Sequence, residues 1–406
     1  MASKAKLSVG LDAGSSRTRC VICAIEDGRL RFLGAGSAPS SGWYRGRIAD
    51  PDVVSESVSR AVKEAETNAQ VLVESVVAGV GGPAVEGIQG RGLYEFSRPR
   101  ELEPGDLAYA VELGTRVRLE EDRMLCHVLP QDFTVDGKPG YRRPVGVSAT
   151  RLEANLQMIT ASAQEHQCLI AALHQAHLAV AETVFEPIAA AYAAILPEER
   201  GRGAALVDIG IHSTGVAVYD GEAMVGAASL PVSADHLTRD LTLGLRAAYN
   251  VSISYEDAES LKREYGCAML GLTADNTLIE IPTPEGRGMQ EITRRQVNEI
   301  LEARAEELFL YVKRELYKAG MDQSLLEGVF LTGGGARLNG MCDMAEKVLN
   351  CPAKFGLAVG IADWPQNFHD PAWATAAGLC MYSARLSMHR GSRKKAPGLL
   401  GLLGWN

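Results

Sequence analysis

Two aspartates constrain this chain more than any other feature. Each ends a hydrophobic strand and is followed by glycine and hydroxyl side chains. They lie in Leu11-Asp12-Ala13-Gly14-Ser15-Ser16-Arg17-Thr18 and in Val207-Asp208-Ile209-Gly210-Ile211-His212-Ser213-Thr214. A third loop, Leu331-Thr332-Gly333-Gly334-Gly335-Ala336, is a bare glycine run. Glycine lets a backbone approach a ligand closely, and exposed N–H groups there hold phosphate oxygens. An aspartate at the end of each of two strands can hold a divalent metal, usually through water. The three loops together predict an α/β protein with a nucleotide site between two related halves.

The spacing assigns roles. Asp12 and Asp208 are expected to face each other and bind Mg²⁺ through its waters. Gly14, Ser15, Ser16 and Thr18 are expected on the β- and γ-phosphates from one side. Gly210, Ser213 and Thr214 approach from the other, and Gly333, Gly334, Gly335 and Ala336 turn beneath the nucleoside. Glu186, between the two aspartate loops and just before Pro187, is placed to orient or deprotonate a water at the γ-phosphate, together with Asp208. An acid satisfying a helix N-terminus is the other reading of Glu186. Glu259 and Lys262, three apart on one helix face, are placed to flank adenine or ribose. A plain ion pair is the alternative there, as a turn-capping role is for the aspartates.

At 406 residues the chain has room for two domains or more. A net charge of −9 argues against general nucleic-acid affinity. Eight cysteines without framework spacing suit a reducing cytoplasm. Cys20 and Cys23 form a Cys-x-x-Cys on an expected strand, where a spacing of three puts them on opposite faces. His174 and His177 are expected on one helix with no partner to complete a metal site. No signal peptide is evident, and no window reaches about 18 apolar residues, the length a membrane span needs.

Periodicity predicts strands at 7–12, 18–25 and 71–80 and a helix at 52–68. Residues 84–161 change character, with many turns, a helix near 106–119 and strands at 124–130 and 152–160. They read as an inserted subdomain. Helices at 163–178 and 187–195 flank a strand at 179–185. The second half restarts near 204 with strand, aspartate loop and strand. Helices at 234–249, 255–265 and 294–319, a strand at 328–331 and a final helix from 371 to about 388 complete it. The aspartate loop opening each half is an internal repeat.

The three loops together resemble the actin/Hsp70/sugar-kinase superfamily, and within it the FtsA family of bacterial cell-division proteins. Further residues carry that resemblance. They are His127-Val128-Leu129-Pro130-Gln131-Asp132-Phe133, Val135-Asp136, Pro144-Val145-Gly146-Val147-Ser148, Arg151-Leu152-Glu153-Ala154, and the stretches 257–266, 331–340 and 375–379. The resemblance implies an actin-like ATPase fold: two related halves around a nucleotide cleft, with an inserted α+β subdomain in the first half. Its implied domains are a first core at 1–83 and 162–198, the insert at 84–161, a second core at 199–234 and 306–388, a helical subdomain at 235–305, and a tail at 389–406. It further implies ATP and Mg²⁺ as cofactors, and filaments of the chain with itself. FtsZ is the implied partner, its C-terminal peptide docking on the helical subdomain, where Arg294, Arg295 and Arg304 are candidate contacts. Other division proteins and anionic inner-membrane lipid are further implied partners. The implied location is peripheral, on the cytoplasmic face of the bacterial inner membrane at the septum. Nucleic acid is not an expected partner.

The end of the chain supports the lipid contact. Arg390, Arg393, Lys394 and Lys395 precede Leu399, Leu400, Leu402, Leu403 and Trp405. The pattern fits an interfacial anchor, with leucines and tryptophan in the headgroup boundary and the basic cluster on anionic lipid. Each basic residue contributes about 1 kcal/mol near such a surface, so four give roughly 4. A tail folding back on its own core or into a partner's groove is the alternative. The second aspartate loop departs from the family pattern, since His212 stands where a small residue is usual. The crowding predicts ATP binding with slow or absent hydrolysis, at most a slow ATPase. A pilus-assembly scaffold of the same fold and a phosphoryl-transfer enzyme of the superfamily are the rival readings.

Overall fold

The computed structural model describes residues 6–221, 223–274, 276–282, 288–321 and 324–392. The tail residues Arg393, Lys394, Lys395, Leu399, Leu400, Leu402, Leu403 and Trp405 lie outside the described residues.

The first half begins with a meander of β1 (Lys6–Ala13), β2 (Arg17–Glu26) and β3 (Arg29–Pro39). Both faces of β1 and β2 are covered, which explains their near-continuous apolar sequence. A small hairpin, β4 (Trp43–Tyr44) and β5 (Arg47–Ile48), leads into α1 (Pro51–Ala69). Asp50 caps α1 by accepting from the Asp52 and Val53 N–H groups, and Pro51 fills the first turn where no donor is needed. Strand β6 (Ser75–Val80) then pairs parallel with β1.

The insert follows. Strands β7 (Glu86–Glu101), β8 (Arg123–Val135), β9 (Lys138–Tyr141) and β10 (Ser148–Ser162) form one sheet in the order β7-β10-β8-β9, with α2 (Pro104–Gly114) packed on it. The chain returns through α3 (Ala163–Gln175), β11 (Ala179–Phe185), α4 (Glu186–Ala194) and the short α5 (Pro197–Gly201).

The second half repeats the first. Strands β12 (Ala204–Ile209), β13 (Thr214–Asp220) and β14 (Ala223–Leu230) make a second meander. Helices α6 (Ala234–Tyr249) and α7 (Tyr255–Tyr265), the hairpin β15 (Leu278–Pro282) and β16 (Met289–Thr293), and the first turns of α8 (Arg294–Lys318) enclose a separate core. Further along α8, Ala305, Leu308, Phe309 and Val312 join the core under the second sheet. One helix therefore fastens the helical unit to that sheet. Strand β17 (Gly328–Thr332), α9 (Met341–Leu349), β18 (Ala353–Phe355), β19 (Ile361–Ala362) and α10 (Ala374–Ser392) complete the chain.

The two main sheets share one order. The first runs β11-β6-β1-β2-β3-β19 and the second β18-β17-β12-β13-β14. In each, an antiparallel meander is extended by two parallel strands beside its first strand. The repeat expected from the two aspartate loops is thus a repeat of whole sheets. Helix α10 crosses back to the first half. A side chain at Gly378 would meet the Ala189 carbonyl at 1.7 Å, and one at Gly10 would meet the Cys380 nitrogen at 2.2 Å. These glycines let α10 lie directly on α4 and β1.

Some expectations are corrected. His177 lies beyond α3 with φ of 61°, so it does not share a helix with His174. The helix expected at 106–119 runs from Pro104 to Gly114, because proline opens it early and the chain turns at Thr115. Strand β7 occupies a stretch that reads as turns. Cys20 and Cys23 do fall on opposite faces, one in the core under α1 and the other in the core beside α10. No described helix is long and apolar enough to cross a membrane.

Candidate functional site

Both aspartates sit where a strand hands over to its loop. Asp12 is next to last on β1, and Asp208 is next to last on β12. The loops after them are built alike. A Cβ on Gly14 would stand 2.9 Å from the Arg17 carbonyl, and one on Gly210 would stand 2.9 Å from that of Ser213. Behind the second loop, the Ala234 and Asp235 N–H groups at the start of α6 donate to the Gly210 and Ile211 carbonyls. The glycine run follows β17. Gly333 has φ of 82°, and its missing Cβ leaves room for the Asp208 carboxylate, which a side chain there would meet at 2.4 Å.

These elements enclose a cavity of about 780 Å³, within the range of ligand sites, about 300–1,000 Å³. Asp12, Gly14, Ser15, Ser16, Glu186, Asp208, Gly210, Ser213, Glu259, Lys262, Gly333, Gly334 and Gly335 all line it. Three expected residues do not. Thr18 is fully buried and bonded to Ser40 Oγ at 3.0 Å. Thr214 is fully buried and donates to the Val232 carbonyl at 2.7 Å. Ala336 packs in the core of the second half. Strand alternation turns both threonines inward, away from the loops they adjoin.

Glu186 is the first residue of α4. Its carboxylate lies against the backbone of Gly79 and Gly81, and any side chain at Gly81 would meet Glu186 Oε2 at 1.9 Å. The insert helps hold it. His127 on β8 accepts the Phe185 N–H at 2.9 Å, one residue before Glu186. Burial drives the His127 pKa down to about 4, so it remains a neutral acceptor.

Burial raises all three acids, and the neighbouring carboxylates add to the shifts of Asp12 and Glu186. Burial, opposed by Arg19 and aided by Asp208, pushes Asp12 up to about 7. Burial and then Asp12 and Asp208 raise Glu186 well above the usual carboxylate range. Burial also raises Asp208, whose Oδ2 accepts from Thr375 Oγ1 at 3.0 Å. Buried acids that repel each other fit a cation between them. Among the described residues no three ligand side chains close tightly enough to grip an ion directly. Asp12 and Asp208 are carboxylates of the kind that would hold a hydrated divalent ion through its waters.

Glu259 and Lys262 form no plain surface pair. Lys262 Nζ donates to Glu259 Oε2 at 2.6 Å and to Thr238 Oγ1 at 2.7 Å, and Lys262 is buried. Burial lowers the Lys262 pKa despite its partner. Burial also works to raise Glu259, but Lys262, Thr238 and Arg263 together hold it below its usual range. Arg294, Arg295 and Arg304 lie on α8, away from the cavity lining. Each is engaged within the chain: Arg294 Nε with the Tyr265 carbonyl at 2.8 Å, Arg295 with Glu299 at 2.7 Å, and Arg304 with Asp240 at 2.5 Å and with Glu307.

The cavity also holds residues to which the motifs assign no role. Arg17, Arg19, Arg337 and Trp373 line it. Arg19 had a readable signal, because a short turn after Asp12 pairs it with Arg19 across the β1–β2 ladder. Arg337 pairs with Asp370, and Trp373 precedes α10; nothing local marks either.

The family profile described as cell division protein FtsA matches residues 205–378, and that of the SHS2 domain inserted in FTSA matches residues 82–160. The cell division protein FtsA of Borreliella burgdorferi is 30% identical over 379 residues, covering 93% of this chain and 90% of its own. This chain belongs to the FtsA family. Two solved structures agree on the fold alone. A PilM–PilN type IV pilus biogenesis complex superposes with a TM-score of 0.65 at 18% identity, covering 93% of this chain and 98% of its own. MreB5 of Spiroplasma citri bound to AMPPNP gives 0.59 at 13% identity, covering 96% and 99%. The fold is actin-like, with the insert that marks the FtsA family.

His212, in the second aspartate loop, also faces the cleft. It lines the cavity, and its Nδ1 is buried without a hydrogen-bond partner. Burial lowers its pKa, which Asp235 only partly offsets. Its Cβ lies where a side chain on Gly46 would come within 3.0 Å, so it faces the β4–β5 hairpin of the opposite half.

Proposed function

We propose that this cell division protein is an ATP-binding scaffold that polymerises on the cytoplasmic face of the inner membrane at the septum and tethers FtsZ there. The observation that carries the reading is the convergence of both aspartate loops and the glycine turn on one cavity between two sheets of the same order. The MreB5 structure with AMPPNP shares this fold, which supports a nucleotide in the cleft.

Within this reading Gly14, Ser15, Ser16, Gly210 and Ser213 offer N–H groups and hydroxyls to the phosphates from two sides. Gly333, Gly334 and Gly335 let the nucleoside lie on backbone. The Glu259–Lys262 pair borders the ribose or base. Asp12 and Asp208 would hold Mg²⁺ through water, and such an ion, when bound, neutralises phosphate charge. Glu186 orients a water near the terminal phosphate. Burial beside Asp12 and Asp208 raises its pKa, so positive charge in the cleft favours its ionised form. His212 narrows the second phosphate loop, so turnover is slow and the nucleotide acts chiefly as a clamp.

The cores, insert, helical unit and tail act as the subdomains with the boundaries given above. The helical unit takes the FtsZ C-terminal peptide, with Arg294, Arg295 and Arg304 exchanging internal partners for the peptide's acids. The basic and leucine-rich tail takes anionic lipid, and polymerisation multiplies a weak anchor through avidity. The insert and filament surfaces meet further division proteins and other copies of the chain.

Calorimetric titration of the full chain tests the reading. ATP and ADP are expected to bind, and Asp208→Asn to weaken both. The FtsZ C-terminal peptide is expected to bind independently of that substitution. Failure of either nucleotide to bind sinks the clamp, and failure of the peptide sinks the tether.

A further inference from the structure

A second cavity, about 350 Å³, lies in the first half and shares no lining residue with the cleft. Its apolar walls include Leu7 and Val9 of β1, Val76 of β6, Leu72 in the turn before β6, and Leu386 near the end of α10. Leu72 is 79% exposed, more than any other large apolar side chain among the described residues. The turn imposes that exposure. The N–H groups on either side are taken, Val71 donating to the Glu66 carbonyl and Val73 to Glu66 Oε1 at 2.7 Å. One exposed leucine is ordinary. Its place on the rim of an apolar-walled groove is what asks for an occupant.

The chain passes this groove near the end of its last helix. Leu386 and Ser387 line it, and Lys6 Nζ donates to the Ser387 carbonyl at 2.5 Å, fastening that part of α10 to the start of β1. Helix α10 runs to Ser392, and the tail leucines begin seven residues later at Leu399. Seven extended residues span up to about 23–25 Å. Ser387 lies only about 7.5 Å back along the helix axis, five residues at 1.5 Å each. The tail is therefore long enough to double back into the groove. A tether this short gives an effective concentration of about millimolar, so a chain's own tail outcompetes that of a second copy. Glu74, exposed in the same lining, offers an acid to Arg393, Lys394 and Lys395.

We propose that, away from a membrane, the tail folds back and packs its leucines against Leu72 and Leu386, and that anionic lipid must displace it. The proposal rests on the anchor reading above and adds a closed state to it. The two states exclude each other. The same leucines cover Leu72 or enter the headgroup boundary, and the same cations face Glu74 or lipid phosphates. A chain in solution thereby hides an apolar end that would otherwise promote aggregation.

The test is tryptic cleavage after Arg393, Lys394 and Lys395 in the full chain, followed by mass spectrometry of the released tail. The rate tracks the fraction of chains whose tail is free. Leu72→Gln removes the apolar rim at an exposed, neutral position, and is expected to speed release about threefold or more. Leu72→Met keeps the rim apolar and is expected to keep the slow rate. Leu326→Gln, equally exposed in the second half, is expected to change nothing. The Leu72→Gln chain is also expected to bind vesicles of phosphatidylglycerol and phosphatidylcholine about threefold more tightly than the unsubstituted chain. Unchanged release in Leu72→Gln overturns the proposal, as does an equal effect of Leu326→Gln or vesicle binding no tighter than before. Protection that fades on dilution gives the groove to a second copy and overturns it too. If no chain binds vesicles, the anchor reading fails, and release from Leu72→Gln still decides whether the tail occupies the groove.

Discussion

Asp12 lies beside Asp208, Glu186 and Arg19, and its titration has a consequence for stability. Its carboxyl is raised from the ordinary 3.8 to about 7 by burial, with Arg19 opposing and Asp208 adding. The folded state therefore binds a proton that the unfolded chain has already lost. The stability this gives is present at low pH and disappears as pH rises through about 7. At neutral pH and without ligand, Asp12→Asn is expected to raise the melting temperature by about 2–4 °C. It should also flatten the fall between pH 5 and 8 while weakening nucleotide binding. A melting temperature that drops in Asp12→Asn at pH 8 contradicts the account. His212 supports a second expectation. His212→Gly removes the ring proposed to narrow the second phosphate loop, so ATP turnover is expected to rise several-fold, read as phosphate release. Unchanged turnover would mean that the ring does not limit the chemistry. At this scale the sequence was legible where chemistry and backbone coincide, as at Asp12, Gly14, Asp208 and Gly333. It was not legible for the cation–π contact of Arg19 with Trp373, because the two meet only through α10 returning from the far end of the chain.

Among elements, α10 decides how the halves are joined. It lies on α4 and β1 at two positions where only glycine fits. Gly378→Ala drives a methyl into the Ala189 carbonyl, so the helices must separate. The expected cost is about 1–3 kcal/mol, seen as a lower denaturation midpoint with nucleotide affinity changed less than stability. A midpoint equal to that of the unsubstituted protein would show that α10 sits farther from α4 than described. Elements with a clean period were readable: α6 and α7 occupy the expected residues because caps and apolar spacing agree. Strand β7 was not, and the reason is physical. Its glycines look like turn signals, yet Gly90 and Gly92 mark where α2 presses its carbonyls onto the strand. The β15–β16 hairpin and α9 went unread as well, because each is short: strands of five residues and a helix of nine carry little periodicity. Arg304 also acts between elements. It ties α8 to Asp240 on α6, so Arg304→Ala is expected to lower thermal stability as well as any peptide affinity. Loss of affinity with unchanged melting would favour a direct contact.

For the whole molecule, one sheet order repeats on either side of the cleft cavity, and in the proposed reading the nucleotide bridges the halves. The proposed slow turnover would let that bridge set a shape and hold it. The FtsA family places that shape in cell division, and the tail sequence suggests where in the cell it works. The direct measurement is co-sedimentation with vesicles rich in anionic lipid, with and without ATP, comparing the full chain with a truncation ending at Arg390. The account predicts that the full chain pellets with vesicles, more so with ATP, and that the truncation stays in solution under both conditions. Equal pelleting of the two chains would contradict it.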